Sequence, residues 1–273
     1  MKKRDELNEM IRYAQRLMGG FDDGIIGDTT KELVERNTYK IKLIDKQFNS
    51  LRKLIALIQF TALSNGIAAG TIDGLIGPQT RFAFEQLIYL EKHSKLPPAW
   101  RIEDKNSVSY SSETIRQNPH DFPTYANIKS IYGEPTTNLK TVKIPFEFKL
   151  AWDTSVKVQR ITCHKKVAPS LIGVLEDLLE HYGLNRLQEL GIDLYGGCFN
   201  HRKMRGGKNL STHSWGAAID LHPEMNQLRW NHKRAVFAKK EYQFLLQTFA
   251  AEGWVSLGVE KNYDWMHFQA VKL

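Results

Sequence analysis

Two clusters of metal-binding side chains, far apart along the chain, set the strongest constraint on its fold. The stretch Ser211-Thr212-His213-Ser214-Trp215-Gly216-Ala217-Ala218-Ile219-Asp220-Leu221-His222-Pro223 places His213 and Asp220 on either side of small residues that let backbone pack close to an ion. Near the C-terminus, Asp264-Trp265-Met266-His267-Phe268 adds a third imidazole and a spare carboxylate. Catalytic zinc usually has three protein ligands and an open fourth position. His213, Asp220 and His267 fill that set, which gives one zinc ion per chain.

Side-chain parity restricts how these residues can meet. In one regular strand Asp264 and His267 would point to opposite faces, so the strand must bend or begin between them. The expected arrangement has His267 on a strand, aimed at the metal, with Asp264 on the incoming loop, over the open position. His213 and Asp220 meet the same difficulty, which is solved if Ala217 to Leu221 is strand and His213 belongs to the preceding loop. Zinc polarises a carbonyl and acidifies a bound water. Asp264 would then take up a proton and pass it to a departing amine. Arg202 and Arg205, a few residues upstream, could form a fork-shaped clamp on a substrate carboxylate.

The N-terminal third is built differently. Leu7, Met10, Ile11, Ala14, Leu17 and Met18 recur at helical spacing, as do Leu51, Leu54, Ile55 and Ile58 in a second helix to about Leu63. The loops Asp23-Gly24-Ile25-Ile26-Gly27-Asp28-Thr29-Thr30 and Asp73-Gly74-Leu75-Ile76-Gly77-Pro78-Gln79-Thr80 align at a constant offset of 50 residues. Each reads as a tight Asp-Gly turn, two apolar residues turned inward and a helix start. Pro78 suits the first helical turn, where a missing N–H is harmless. A helical packing unit without a ligand is the alternative to a binding role.

Pro97-Pro98 and a run of Ser and Asn between Asn106 and Ser112 mark a linker over 96–124. Beyond it, Val142 to Trp152 and Val156 to Cys163 read as strands joined at Asp153-Thr154-Ser155. Ala168 to Tyr182 is a helix closed by Gly183, Lys239 to Ala251 is another, and closing strands begin at Gly253-Trp254-Val255. Strands and helices are segregated, which predicts an α+β class: a small all-helical domain at 1–95, then at 125–273 a mixed α+β domain with a central, mainly antiparallel sheet.

Composition narrows the partners. The charge is +8, but residues 1–95 carry 15 basic and 12 acidic residues and the remainder 23 and 18, so the excess is spread over both halves. That favours general attraction to an anionic surface over a nucleic-acid groove. No apolar run approaches the roughly 20 residues of a membrane span, so no stable membrane insertion is expected. The basic N-terminus lacks the apolar run of a signal peptide, and the two cysteines, Cys163 and Cys198, are too few for a secreted disulfide framework. A cytoplasmic start and a monomer are expected.

Asp73 to Thr80 resembles the signature of the peptidoglycan-binding helical module of wall hydrolases, and Asp23 to Thr30 departs from it in carrying Asp28 where Pro is usual. The resemblance implies a wall-binding role for Asp23, Gly24, Asp73 and Gly74. Ser-x-His-x-x-Gly-x-Ala-x-Asp together with Asp-x-x-His resembles the zinc peptidases that include D-alanyl-D-alanine carboxypeptidases and the L-alanyl-D-glutamate endopeptidases of phage lysins, over about residues 130–273. It implies His213, Asp220 and His267 as zinc ligands and Asp264 as catalytic base. Aspartate rather than glutamate at that position leans towards the lysins. Arg202, in a loose match to the family's Gly-aromatic-Arg turn, would bind substrate, with Arg205 behind it. Ser211 caps a turn or lies close to substrate.

The implied protein is a phage-type endolysin that cleaves an amide bond of the peptidoglycan stem peptide, reaching the wall from the host cytoplasm after membrane permeabilisation. The rival readings are a D-alanyl-D-alanine carboxypeptidase and a non-enzymatic wall-binding protein with a structural zinc, for which His222 would have to be a fourth ligand. A cysteine peptidase built on Cys198 has no convincing activated pair.

Overall fold

In the first 99 residues, the apolar faces read from the sequence become four helices: α1 (Lys3–Leu17), α2 (Asp28–Thr38), α3 (Ser50–Ser64) and α4 (Pro78–His93). The computed structural model describes residues 3–101 and 119–273. The chain divides between Ala99 and Trp100 into two units. The Ser- and Asn-rich run and most of the 96–124 linker lie outside the described residues.

Helix α3 packs against α1, α2 and α4, and Met10, Ala14, Leu54, Ile58, Ala83 and Leu87 form the centre of the core. Asn49 caps α3 by accepting from Arg52 N at 2.9 Å, which satisfies one of the donors every helix start leaves open.

Each Asp-Gly loop is closed by a buried glutamine that the 50-residue offset did not reveal. Gln15 donates from Nε2 to Asp23 Oδ1 (2.8 Å), Ile25 O (2.9 Å) and Thr30 Oγ1 (3.0 Å), and its Oε1 accepts from Gly24 N at 2.9 Å. Gln59 repeats the pattern on Asp73 Oδ1 (2.9 Å), Leu75 O (3.3 Å) and Thr80 Oγ1 (3.0 Å), accepting from Gly74 N at 2.8 Å. Gly74 has φ +67°, and a Cβ there would run into the Arg52 backbone, so only glycine fits.

The second unit is α+β, as its segregated pattern predicts. Its elements are α5 (Ile128–Tyr132), β1 (Leu139–Leu150), β2 (Asp153–His164), α6 (Ala168–Glu189), β3 (Leu194–Gly197), β4 (Ala218–Leu221), α7 (Gln243–Ala251), β5 (Val255–Ser256), α8 (Leu257–Lys261) and β6 (His267–Gln269). The six strands form one sheet in the order β2-β1-β3-β4-β6-β5. All neighbours are antiparallel except β1 and β3. Alternation in β1 buries Ile144, Phe146 and Phe148, and α6 covers them with Leu171, Val174, Leu175 and Leu178. Phe268 of β6 stacks on Phe249 of α7 with ring centres 4.0 Å apart.

Three local expectations are corrected. The hairpin turns at Ala151–Trp152, because Leu150 already pairs with Asp153; the polar Asp153-Thr154-Ser155 only imitates a turn while extending β2. Gly183 kinks α6 at φ +67°, ψ 160° rather than ending it. The segment from Lys239 starts as a 3-10 turn over Lys240–Tyr242, and α-helix begins only at Gln243. Among the described residues, no helix is long and apolar enough to cross a membrane.

Gln59 is 1 % exposed and serves four partners, so Gln59→Leu should strand them without opening a void. Urea unfolding followed by helical circular dichroism should show a loss of about 3 kcal/mol; a change below about 0.5 kcal/mol would show that the loop is held by something else.

Candidate metal centre

Strands β4 and β6 bring the two distant sequence clusters together. Asp220 pairs directly with His267 across the antiparallel ladder, while His213 enters from the 3-10 turn Thr212–Trp215 that precedes β4. The parity expectation is met on both sides: β6 starts at His267, and Asp264 lies on the incoming loop. Ser211 caps the turn by accepting from His213 N at 3.4 Å. On the far side Gly196 lies so close to Asp220 Cβ that any side chain there would collide.

One ligand atom from each of His213, Asp220 and His267 falls within 4.8 Å of the others, and all three residues are buried. His213 Nδ1 lies 2.6 Å from Cys198 O, so the ring donates there and Nε2 keeps its lone pair. His267 Nε2 lies 3.1 Å from Gln269 Oε1, and Gln269 Nε2 donates to Val271 O at 2.7 Å, which fixes the amide with its oxygen towards the ring. His267 Nδ1 is therefore the free acceptor. Thr212 Oγ1 supports this side, 3.4 Å from both His267 Nε2 and Gln269 Oε1.

These two lone pairs face each other at 3.2 Å, and Asp220 Oδ1 stands 3.1 Å from His213 Nε2 and 2.9 Å from His267 Nδ1. Three buried acceptors this close need a cation among them. Burial pushes the His213 pKa down, against the opposing pull of Asp220, so its ring tends to neutrality. Burial would raise the Asp220 carboxyl, but His213 and His267 hold it well below the usual range. A neutral imidazole and an ionised carboxylate are the forms that bind a metal. The donor set of two nitrogens and one oxygen suits zinc.

His222 does not join the cluster. It sits at φ +47° with its ring against Gly191 and edge-on to Phe237. Cys198 is buried, and burial pushes its thiol well above the ordinary value, which leaves no thiolate nucleophile.

The cleft over the centre is lined by Arg101, Arg202, Arg205, Ser211 and Asp264. Ser214 Oγ accepts from Arg202 N at 3.1 Å and donates to Arg202 O at 3.0 Å, so the arginine-bearing loop is tied to the metal-site turn. Arg202 is buried, and burial together with the nearby Arg205 lowers its pKa to about 9. Asp264 adopts φ +56°; its N donates to Leu228 O at 3.0 Å and its O accepts from His267 N at 2.9 Å. Its carboxylate meets Arg101, a residue that nothing in the sequence links to the site, at 2.5 Å. The other site residues that sequence reasoning missed are Gln269 and Thr212. Gln269 was legible in principle, because residues two apart on a strand share a face.

In the first unit, the Asp23 and Asp73 carboxylates are engaged by the glutamine clasps, and Gly24 and Gly74 supply the accompanying N–H. Phe21 and Ile25 are exposed at 89 % and 65 % beside the first clasp.

Residues 205–270 match a family model described as D-alanyl-D-alanine carboxypeptidase. No curated protein matches the chain, and no solved structure does. The matched segment contains His213, Asp220, Asp264 and His267. A segment similar to this family model, carrying a buried His/Asp/His set able to hold one metal ion, thus follows an N-terminal helical region.

Gln269 fixes the tautomer of His267, so Gln269→Ala should weaken zinc affinity about 10- to 100-fold. Competition against a chromophoric chelator reads this directly; unchanged affinity would show that the tautomer is set elsewhere.

Proposed function

We propose that this protein is a zinc-dependent peptidoglycan hydrolase of the endolysin kind, cutting an amide bond in the stem peptide as an L-alanyl-D-glutamate endopeptidase. The observation that carries the reading is the convergence of His213 Nε2, Asp220 Oδ1 and His267 Nδ1 beside a carboxylate, Asp264, that does not belong to the donor trio. A purely structural zinc would call for a fourth protein ligand. His222, the candidate for that role, packs elsewhere.

His213, Asp220 and His267 would hold the ion. Bound zinc would supply Lewis-acid polarisation of the scissile carbonyl and make a water acidic enough to attack near neutral pH. Asp264 accepts a proton and returns it to the departing nitrogen. The strain of its left-handed backbone is consistent with a carboxylate held in place for use. Arg202 and Arg205 offer fork-shaped donors to substrate carboxylates, and Ser211, at the cleft wall, offers a hydroxyl. Burial excludes water around this charged set and strengthens each interaction within it.

The helical unit is assigned the wall-binding role, with Asp23, Gly24, Asp73 and Gly74 shaping its two loops and Phe21 and Ile25 offering exposed apolar surface. Anchoring to an insoluble polymer raises the local concentration of scissile bonds, which favours an endopeptidase. In this reading the protein acts at the wall after the membrane has been permeabilised. The description of the matched family model favours one second reading, a D-alanyl-D-alanine carboxypeptidase.

Mass analysis of digested peptidoglycan separates the two. New amino groups at L-Ala–D-Glu support the endopeptidase, release of terminal D-Ala supports the carboxypeptidase, and new reducing ends would refute both. Asp264→Asn should slow hydrolysis about 10²- to 10⁴-fold while zinc content stays at one ion per chain. Chelation should abolish hydrolysis, with zinc restoring it; activity that survives complete removal of metal would sink the reading.

A further inference from the structure

The second unit opens with Trp100-Arg101, and Arg101 lines the cleft. Trp100 N and Arg101 N both donate to Gly206 O, at 3.0 and 2.9 Å. The Trp100 indole covers Gly206 so closely that any side chain there would meet the ring. Arg229 lies over Trp100 and Arg101 over Tyr263, each with its guanidinium carbon 5.1 Å from the ring centre. This packing holds the Arg101 guanidinium, 13 % exposed, against the Asp264 carboxylate, 7 % exposed.

The pairing is incomplete in a telling way. Arg101 and Arg202 both line the cleft, and each keeps a buried Nε–H with no hydrogen-bond partner among the described residues. Asp220 is taken up by the two histidines. A buried guanidinium with idle donors is costly unless an anion completes it. Two such groups beside one reactive carboxylate form a cationic wall with donors to spare, suited to the oxygens of an anionic ligand.

We propose that Arg101 is a specificity-determining residue of this cleft: it binds a carboxylate of the peptide substrate, and Asp264 stands in for that carboxylate in the free protein. The inference rests on the peptidase reading above. Substrate entry exchanges one ion pair for another, so Arg101 keeps a partner while Asp264 is released for proton transfer. A neutral peptide offers Arg101 no second partner and so binds more weakly. The recognised class is thus peptides with a free carboxylate near the scissile bond, and their amidated counterparts are discriminated against. Arg101 lies outside the matched residues 205–270, so this selectivity is a property of the chain rather than of the matched region.

The test compares a stem tetrapeptide bearing free carboxylates with the same peptide amidated, using the zinc-loaded full chain. Wild type should show a KM about tenfold lower for the acid, with similar kcat. Arg101→Gln should raise KM for the acid and leave the amide unchanged, bringing the ratio below about threefold, while Arg101→Lys should retain part of the preference. Calorimetric titration in the Asp264→Asn background should show the same discrimination, removed by adding Arg101→Gln. A wild type that does not distinguish the two peptides overturns the proposal. So does an Arg101→Gln variant that keeps the ratio, or that loses kcat equally on both; the latter would mean that Arg101 only orients Asp264. A wild type that releases no amino groups from peptidoglycan or either peptide overturns the peptidase reading itself, whereas cleavage without discrimination overturns only the role of Arg101.

Discussion

Three buried acceptors pointing at one another are the interaction around which the second unit is built. Asp220 Oδ1, His213 Nε2 and His267 Nδ1 lie 2.9 to 3.2 Å apart, and none of them can satisfy another without a cation. The surrounding fold prevents escape. Cys198 O takes the only proton His213 can offer outward, and the Gln269 amide, locked by Val271 O, does the same for His267. The ladder pairing of Asp220 with His267 leaves neither backbone free to retreat. Affinity for a cation is thus built into the fold.

The charges around that centre fall into layers. Innermost is the donor trio; Asp264 lines the same cleft with its carboxylate against Arg101, and the Arg202 guanidinium shares that lining. Each layer is buried enough that its charges act on the next with little screening. The loop of Arg202 is tied through the Ser214 hydroxyl to the turn that carries His213. A shift of the turn would therefore move the arginine as well, so the turn of His213 and the loop of Arg202 are mechanically one piece.

Much of this was legible in the chain itself. The donor trio could be read because its members are residue types with few other reasons to cluster. Strand parity then required a bend or a strand start between Asp264 and His267, and placed His213 on the loop before the strand of Asp220. The α+β class followed from segregated periodicities. What could not be read has a common cause. Arg101 reaches Asp264 across 163 residues, and its flanking prolines and polar residues read as a connecting stretch. The kink at Gly183 escaped because helical periodicity resumes beyond it. The turn at Ala151–Trp152 carries no turn-forming residue, whereas the Asp153-Thr154-Ser155 next to it does. Gln269 shares a strand face with His267, a signal that was present and passed over.

The glutamine clasps of the helical unit have an evolutionary consequence. Gln15 closes on Asp23 across 8 residues and Gln59 on Asp73 across 14, yet the bonds formed are the same. A lock of this kind does not measure the chain between its ends, so that intervening chain can lengthen or shorten while the loop it fastens keeps its shape. The two clasps of this chain thereby keep the same bonds at different spacings. Descent would then be easier to trace through the positions of a few hydrogen-bonding atoms than through aligned letters.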